Sequence, residues 1–200
     1  MEHGTLAGQD STGALAQLVD RYRGSTGLET ADLEQLRHLI ATSPDPWARA
    51  TPLHVTASAL VVHPESRTVL LRWHERQQGW LQVGGHGDPG ESDPLAVAMR
   101  EAAEETGLDD LVTWPDDADD SLHVRVDPLH IVVVPVTAAA SEPAHRHLDI
   151  RFVFRTAKPG HARPENDRSP LRWLACEQAA SATDEQNLRE SLSRVDRLLG

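Results

Sequence analysis

The sequence predicts an α/β protein in which a mixed β-sheet lies between helices, preceded by a helical N-terminal extension. Three observations carry this. Residues 1–50 have apolar residues at helical spacing, the chain from Leu53 turns to strand-like runs, and one strongly signalled helix near the middle divides the strands. The pattern changes after Ser43-Pro44-Asp45-Pro46, which separates an extension (1–50) from a main domain (51–200).

Within the extension, Leu15, Leu18, Val19 and Tyr22 follow i, i+3, i+4, i+7 spacing, and Leu33, Leu36, Leu39 and Ile40 form a second stripe. Gly24-Ser25-Thr26-Gly27 joins them, so a helical hairpin is expected. Three roles are open to it: packing on the main domain, a homodimer contact, or cover over a substrate. Strands follow at Leu53–Val62 and Thr68–Trp73, joined by the hairpin-like Pro64-Glu65-Ser66-Arg67, and then at Trp80–Val83. Asp93-Pro94 starts a helix that Gly107 ends, with Leu95, Ala98, Met99 and Ala102 on its apolar stripe. The acidic run Pro115–Asp120 reads as an exposed loop. Leu129–Val136, Leu148–Arg155 and Leu171–Leu174 are further strands. Thr183 with Gln186 makes a capping box for a last helix carrying Leu188, Leu192, Val195 and Leu199.

Composition narrows the function classes. A net charge of −12 argues against a general nucleic-acid binder, which needs a basic face. No apolar run approaches the ~20 residues of a membrane span, and MEHGTLAGQD lacks the basic and apolar regions of a secretory signal. The single cysteine, Cys176, excludes an intramolecular disulfide and suits a reducing cytoplasm, where the protein is expected.

The chemistry concentrates in Gly85–Leu108, GHGDPGESDPLAVAMREAAEETGL. On the helix Glu101, Glu104 and Glu105 stand at i, i+3 and i+4, so their carboxylates share a face and repel one another. A hard divalent cation relieves that repulsion, since Mg²⁺ prefers oxygen ligands and works beside substrate phosphates. The glycines before the helix let backbone groups approach the same ion.

This stretch resembles the Nudix box: Gly85, five residues, Glu91, then Arg100-Glu101-Ala102-Ala103-Glu104-Glu105-Thr106-Gly107-Leu108. It departs from the usual pattern in two ways. Ser92 to Met99 is one residue longer than the usual spacer, and Ala102 stands where a larger aliphatic is common. The extra residue should be absorbed in the turn without rotating the carboxylate face. The resemblance implies an α/β/α sandwich over residues 53–200. It also implies a Mg²⁺- or Mn²⁺-dependent hydrolase, with metal on Glu101, Glu104, Glu105 and the Gly85 carbonyl, and Glu91 paired with Arg100. The implied reaction is pyrophosphohydrolysis by metal-activated water of a nucleoside diphosphate linked to another moiety. Isopentenyl-diphosphate isomerase shares the fold and is the rival enzyme, and a non-catalytic nucleotide-ligand sensor is the third reading. Diadenosine-polyphosphate members usually carry a Tyr shortly after the box, where this chain has none.

A second constellation is the strand from His145, where alternation puts His145, His147, Asp149 and Arg151 on one face and Leu148, Ile150 and Phe152 on the other. His-x-His-x-Asp is a metal-ligand pattern or a substrate-facing row. Arg72 and Arg76, before the box, and His86, just inside it, join His145, His147 and Asp149 as candidates for substrate contact. Trp73 and Trp80 suit base stacking or packing. His54, His63, His123 and His130 share no spacing with other ligands and are read as structural.

Overall fold

A computed structural model describes residues 12–115, 126–138 and 143–200. The acidic run after Pro115, and His123, lie outside the described residues.

The sheet is built on two long strands that share its centre. β1 (Leu53–His63) and β7 (His145–Arg155) run parallel over ten residue pairs, from Leu53 opposite Arg146 to Val62 opposite Arg155. β2 (Thr68–His74) pairs antiparallel with β1, then with β3 (Gly79–Leu81) and with β8 (Leu171–Ala175). β4 (Val83–Gly85) lies antiparallel to β1, and β5 (Val112–Thr113) and β6 (His130–Val136) lie antiparallel to β7. The single strand expected at Trp80–Val83 is therefore two. They break at Gln82, whose side-chain amide turns inward to Ser58 and Asp149.

Each face of the sheet has its own apolar layer. On one face Val55, Ala57, Ala59 and Val61 of β1 pack with α3 (Pro94–Thr106) and with the hairpin of α1 (Gly13–Arg21) and α2 (Gly27–Thr42). Leu15, Leu18, Leu33 and Leu36 from the hairpin are buried in that layer, so of its three open roles the structure displays packing on the sheet. On the other face Leu60, Val62, Val69, Leu71 and Val153 pack with α4 (Cys176–Ala182) and α5 (Gln186–Leu199).

Two local expectations change. The buried side of α3 is centred on Pro94, Val97, Ala98 and Ala102, with Leu95 and Met99 only partly covered. Small residues at Ala98 and Ala102 let this helix lie close to the sheet, which moves the contact toward Val97. The capping box at Thr183 does not form, because the unexpected helix α4 ends at Ala182 and Thr183 follows as its C-cap. Thr183 Oγ1 instead accepts from the Glu185 amide at 3.2 Å, and α5 starts one residue later.

Candidate functional site

The apolar layer beside α4 and α5 does not extend along the whole sheet. Toward the N-terminal ends of β1 and β7 the same face turns polar, with His54, Thr56 and Ser58 opposite His147, Asp149 and Arg151. A cleft of about 180 Å³ opens there, bordered by Gly84, Gly85, His86, His147, Asp149 and Arg151 among others. Arg76 also borders it, as do Glu185 and Asn187 from the start of α5.

The box carboxylates approach the same glycine pair from the α3 side. Asp93 caps α3 through its carboxylate on the Leu95 amide at 3.0 Å, and Gly107 closes it with φ of +65°. In the preceding turn the Glu91 amide bonds Asp88 O at 2.9 Å and the Asp88 amide bonds Glu91 Oε2 at 2.8 Å. With the longer spacer, Glu91 still reaches Arg100. Arg100 Nε and Nη2 grip Glu91 at 3.0 and 2.8 Å, while Nη1 lies 2.9 Å from both Glu101 Oε1 and Glu104 Oε2. Nη2 also donates to the His86 carbonyl at 3.0 Å. One planar cation thus ties three carboxylates and the loop together, which a lysine cannot do.

Of the two glycines, Gly84 is required by closeness to backbone, while Gly85 faces only the movable end of Glu101. A Cβ at Gly85 would lie 2.8 Å from Glu101 Oε2, and one at Gly84, which has φ of +142°, would collide with Ser58. The Gly84 amide donates to Glu105 Oε2 at 3.0 Å. Burial pushes the Glu105 carboxyl up to about 7 against the pull of Arg72 and that amide, and Glu101 adds to the rise. Burial raises Glu101 as well. Glu91 moves the other way, held below the usual range by Arg100. Two half-buried carboxylates that ionise reluctantly, beside an exposed third and a backbone brought close, form a donor set that suits a hard divalent cation.

The other candidates fall in different places. Arg72 is committed to carboxylates, 3.1 Å from Glu105 Oε1 and 3.3 Å from Glu165 Oε2, with its Nε buried and unpartnered. Trp73 and Trp80 pack edge to face at 5.5 Å, and the Arg172 guanidinium covers Trp80 at 4.4 Å. Asp149 is nearly buried, its oxygens accepting from Thr56, Ser58, Gln82 and Arg151 at 2.8–3.2 Å. Arg151, only 1% exposed, also bonds Ser191 and Asn187. His130 is buried against Ser191 Oγ at 2.9 Å, a packing role, whereas His54 lies within a cluster with His86, His145 and His147. Thr56, Ser58, Gln82 and Asn187 escaped the sequence reading. The alternation His54-x-Thr56-x-Ser58, polar on one side of an apolar strand, was the signal for the first two.

The family model of the NUDIX domain matches residues 52–195, the span that holds both the sheet and the box. The chain belongs to the Nudix family. Among solved structures, it is similar to a NUDIX-family hydrolase from Clostridium perfringens. That match has 23% identity and a TM-score of 0.53, covering 74% of this chain and 98% of that one. An Ap4A hydrolase from C. elegans is similar at 17% identity and TM-score 0.55, over 72% and 96% of the two chains. These likenesses concern the Nudix fold. No curated protein matches the sequence.

Proposed function

We propose that this Nudix protein is a hydrolase that cleaves a phosphoanhydride bond in a nucleoside diphosphate linked to another moiety. The observation that carries the reading is the Arg100 clamp on Glu91, Glu101 and Glu104, with Gly85 held against Glu101. In this reading Glu101, Glu104, Glu105 and the Gly85 carbonyl hold Mg²⁺ or Mn²⁺. When bound, the cation supplies charge neutralisation for the diphosphate and a water of lowered pKa. Arg100 fixes the carboxylates in place, and Glu91 fixes Arg100. Arg76 and His86, at the border of the cleft, meet substrate charge. Residues 1–50 act as a helical extension of a Nudix domain at 51–200, their hairpin of α1 and α2 packing on the α3 side of the sheet.

The isomerase reading needs a cysteine active in proton transfer. Cys176, the first residue of α4, is buried, and burial, with Asp196 adding to it, pushes its thiol up to about 11. A sensor has no need of the complete carboxylate set and its clamp. The test is a panel of nucleotide sugars, dinucleotides and nucleoside triphosphates incubated with Mg²⁺ or Mn²⁺, with phosphorylated products identified by mass. Metal-dependent release of a phosphomonoester from at least one diphosphate-linked compound is expected. Saturable binding with no turnover across the panel would overturn the hydrolase in favour of the sensor.

A further inference from the structure

The parallel register of β1 and β7 sets His54 opposite His147, and the turn out of β4 brings His86 to the same place. One ring nitrogen from each of these three residues falls within 4.8 Å of the others. A fourth imidazole, His145, stacks on His54 at 5.3 Å between ring centres and 19° between planes.

Two backbone carbonyls decide the tautomers. His54 Nδ1 lies 3.0 Å from Thr51 O, and His145 Nδ1 lies 2.9 Å from Pro143 O. A carbonyl only accepts, so each Nδ1 carries hydrogen and each neutral ring has its bare lone pair at Nε2. His54 Nε2 points at His86 Nε2, 3.0 Å away, and His145 Nε2 at His147 Nε2, also 3.0 Å. His54 is held as protein metal centres hold their imidazoles, one nitrogen tied to a carbonyl and the other aimed inward. His54 has no accessible surface, so its inward nitrogen cannot turn to solvent.

We propose that His54, His86 and His147 form a metal centre for a borderline divalent ion of the Zn²⁺ class, distinct from the carboxylate set on α3. Imidazole selects Zn²⁺, Co²⁺ or Ni²⁺ over Mg²⁺, so the two donor sets sort different ions. Around tetrahedral zinc, with bonds of about 2.0–2.1 Å, ligand nitrogens stand about 3.3 Å apart, so the His54–His86 spacing needs only a small opening. Asp149 is not a ligand, because Thr56, Ser58, Gln82 and Arg151 already occupy its oxygens. His86 and His147 border the cleft, which leaves room for a water or an anionic oxygen as fourth ligand. Gly85 and His86 are consecutive, so this centre and the carboxylates flank one short segment.

The test uses the tag-free full chain, stripped of metal and titrated with Co²⁺ in excess Mg²⁺, reading visible d–d absorption and bound metal by elemental analysis. One equivalent with a tetrahedral spectrum, displaced by Zn²⁺, is expected. His86→Ala and His147→Ala, with folding checked by circular dichroism, should each weaken binding at least about tenfold. The Glu101→Gln, Glu104→Gln double variant should bind Co²⁺ within about twofold of the parent. That arm separates this centre from the hydrolase reading, which fails or stands on the carboxylates alone. Absence of saturable Co²⁺ binding, binding that survives loss of both His86 and His147, or binding abolished in the glutamate variant would overturn the proposal.

Discussion

Arg194 on the last helix and Glu29 on the second form a two-point ion pair, Nη1 to Oε1 at 2.9 Å and Nη2 to Oε2 at 3.0 Å. The Glu29 side chain has no exposure, and the Tyr22 hydroxyl, Ser25 and the Ile131 amide also donate to it. This network joins the N-terminal hairpin, the sheet edge and α5. Glu29→Ala leaves Arg194 a buried cation with its main partner gone, at an expected cost of about 3–5 kcal/mol. Urea unfolding followed by circular dichroism measures it, and a loss below 1 kcal/mol would show the hairpin to be energetically detached.

The same pair predicts acid sensitivity. Burial works against ionisation of Glu29, but the hydrogen bonds from Arg194, Tyr22 and Ser25 outweigh it and hold the carboxyl at about 2, against an ordinary 4.5. A carboxyl that titrates lower when folded contributes stability that is complete above pH 4.5 and lost as pH falls toward 2. The amount is about 3 kcal/mol. Glu29→Gln should flatten stability against pH in that window.

His130 acts in a neighbouring window. Burial, with Arg151 and Arg194 nearby and only partly offset by Glu29 and Glu190, lowers it from 6.5 to about 4. The unfolded chain therefore binds a proton that the folded chain refuses between those values, so stability falls as pH drops from 6.5 to 4. His130→Asn should remove that slope, about 3 kcal/mol in total, and leave the slope below pH 4. Unfolding curves at pH 7, 5 and 3.5 distinguish the two residues. A parallel loss in His130→Asn would assign the slope elsewhere.

Much of the scaffold was legible because periodicity reports on burial. The leucines of the hairpin, the limits of α3 and the alternation in β7 all reflect one residue's relation to near neighbours. The histidine cluster was legible only in part, for His86, His145 and His147 stood out and His54 did not. His54 and His130 look alike in sequence, each within an apolar strand, and only the pairing of β1 with β7 puts one beside His147 while β6 carries the other to Ser191. The commitment of Asp149 and Arg72 to protein partners was hidden for the same reason. Donors from β1 and acceptors on and beyond α3 meet them only in the folded chain.

Arg100 separates geometry from charge. Arg100→Lys keeps the cation but loses the fork that reaches Glu91, Glu101 and Glu104 together. Turnover on the best diphosphate substrate should fall about 10- to 100-fold, the order seen when a group that orients metal ligands is lost. The partly exposed site should cost less than about 1 kcal/mol of stability. Glu105→Gln should reduce turnover further with the fold intact. Near-parental rates for both would remove the carboxylates from the mechanism.

The spacer makes a prediction about register. A surplus residue absorbed in the turn before Pro94, where the Asp88–Glu91 bonds set the chain's direction, would leave the register of α3 unchanged. Deleting Ser92 should keep most activity. Inserting one residue between Ala96 and Met99 turns the carboxylates by about 100° relative to the buried Val97–Ala98 face and should abolish it. Equal tolerance of the two changes, measured as turnover at matched folded fraction, would show that α3 register is set elsewhere.

The polar row on β7 divides into two kinds of residue, and their variants should differ accordingly. Asp149 neutralises Arg151, which is 2.8 Å away and almost without exposure, so Asp149→Ala strands a buried cation and two buried hydroxyls. That change should cost about 3–5 kcal/mol of stability, whatever it does to catalysis. His147 is only half-buried and borders the cleft, so His147→Ala removes little packing and should lower stability by less than about 1.5 kcal/mol. Its effect should appear as a raised KM for the diphosphate substrate at unchanged Mg²⁺ dependence. A His147→Ala protein with parental kinetics and a melting temperature as low as that of Asp149→Ala would make the whole row structural.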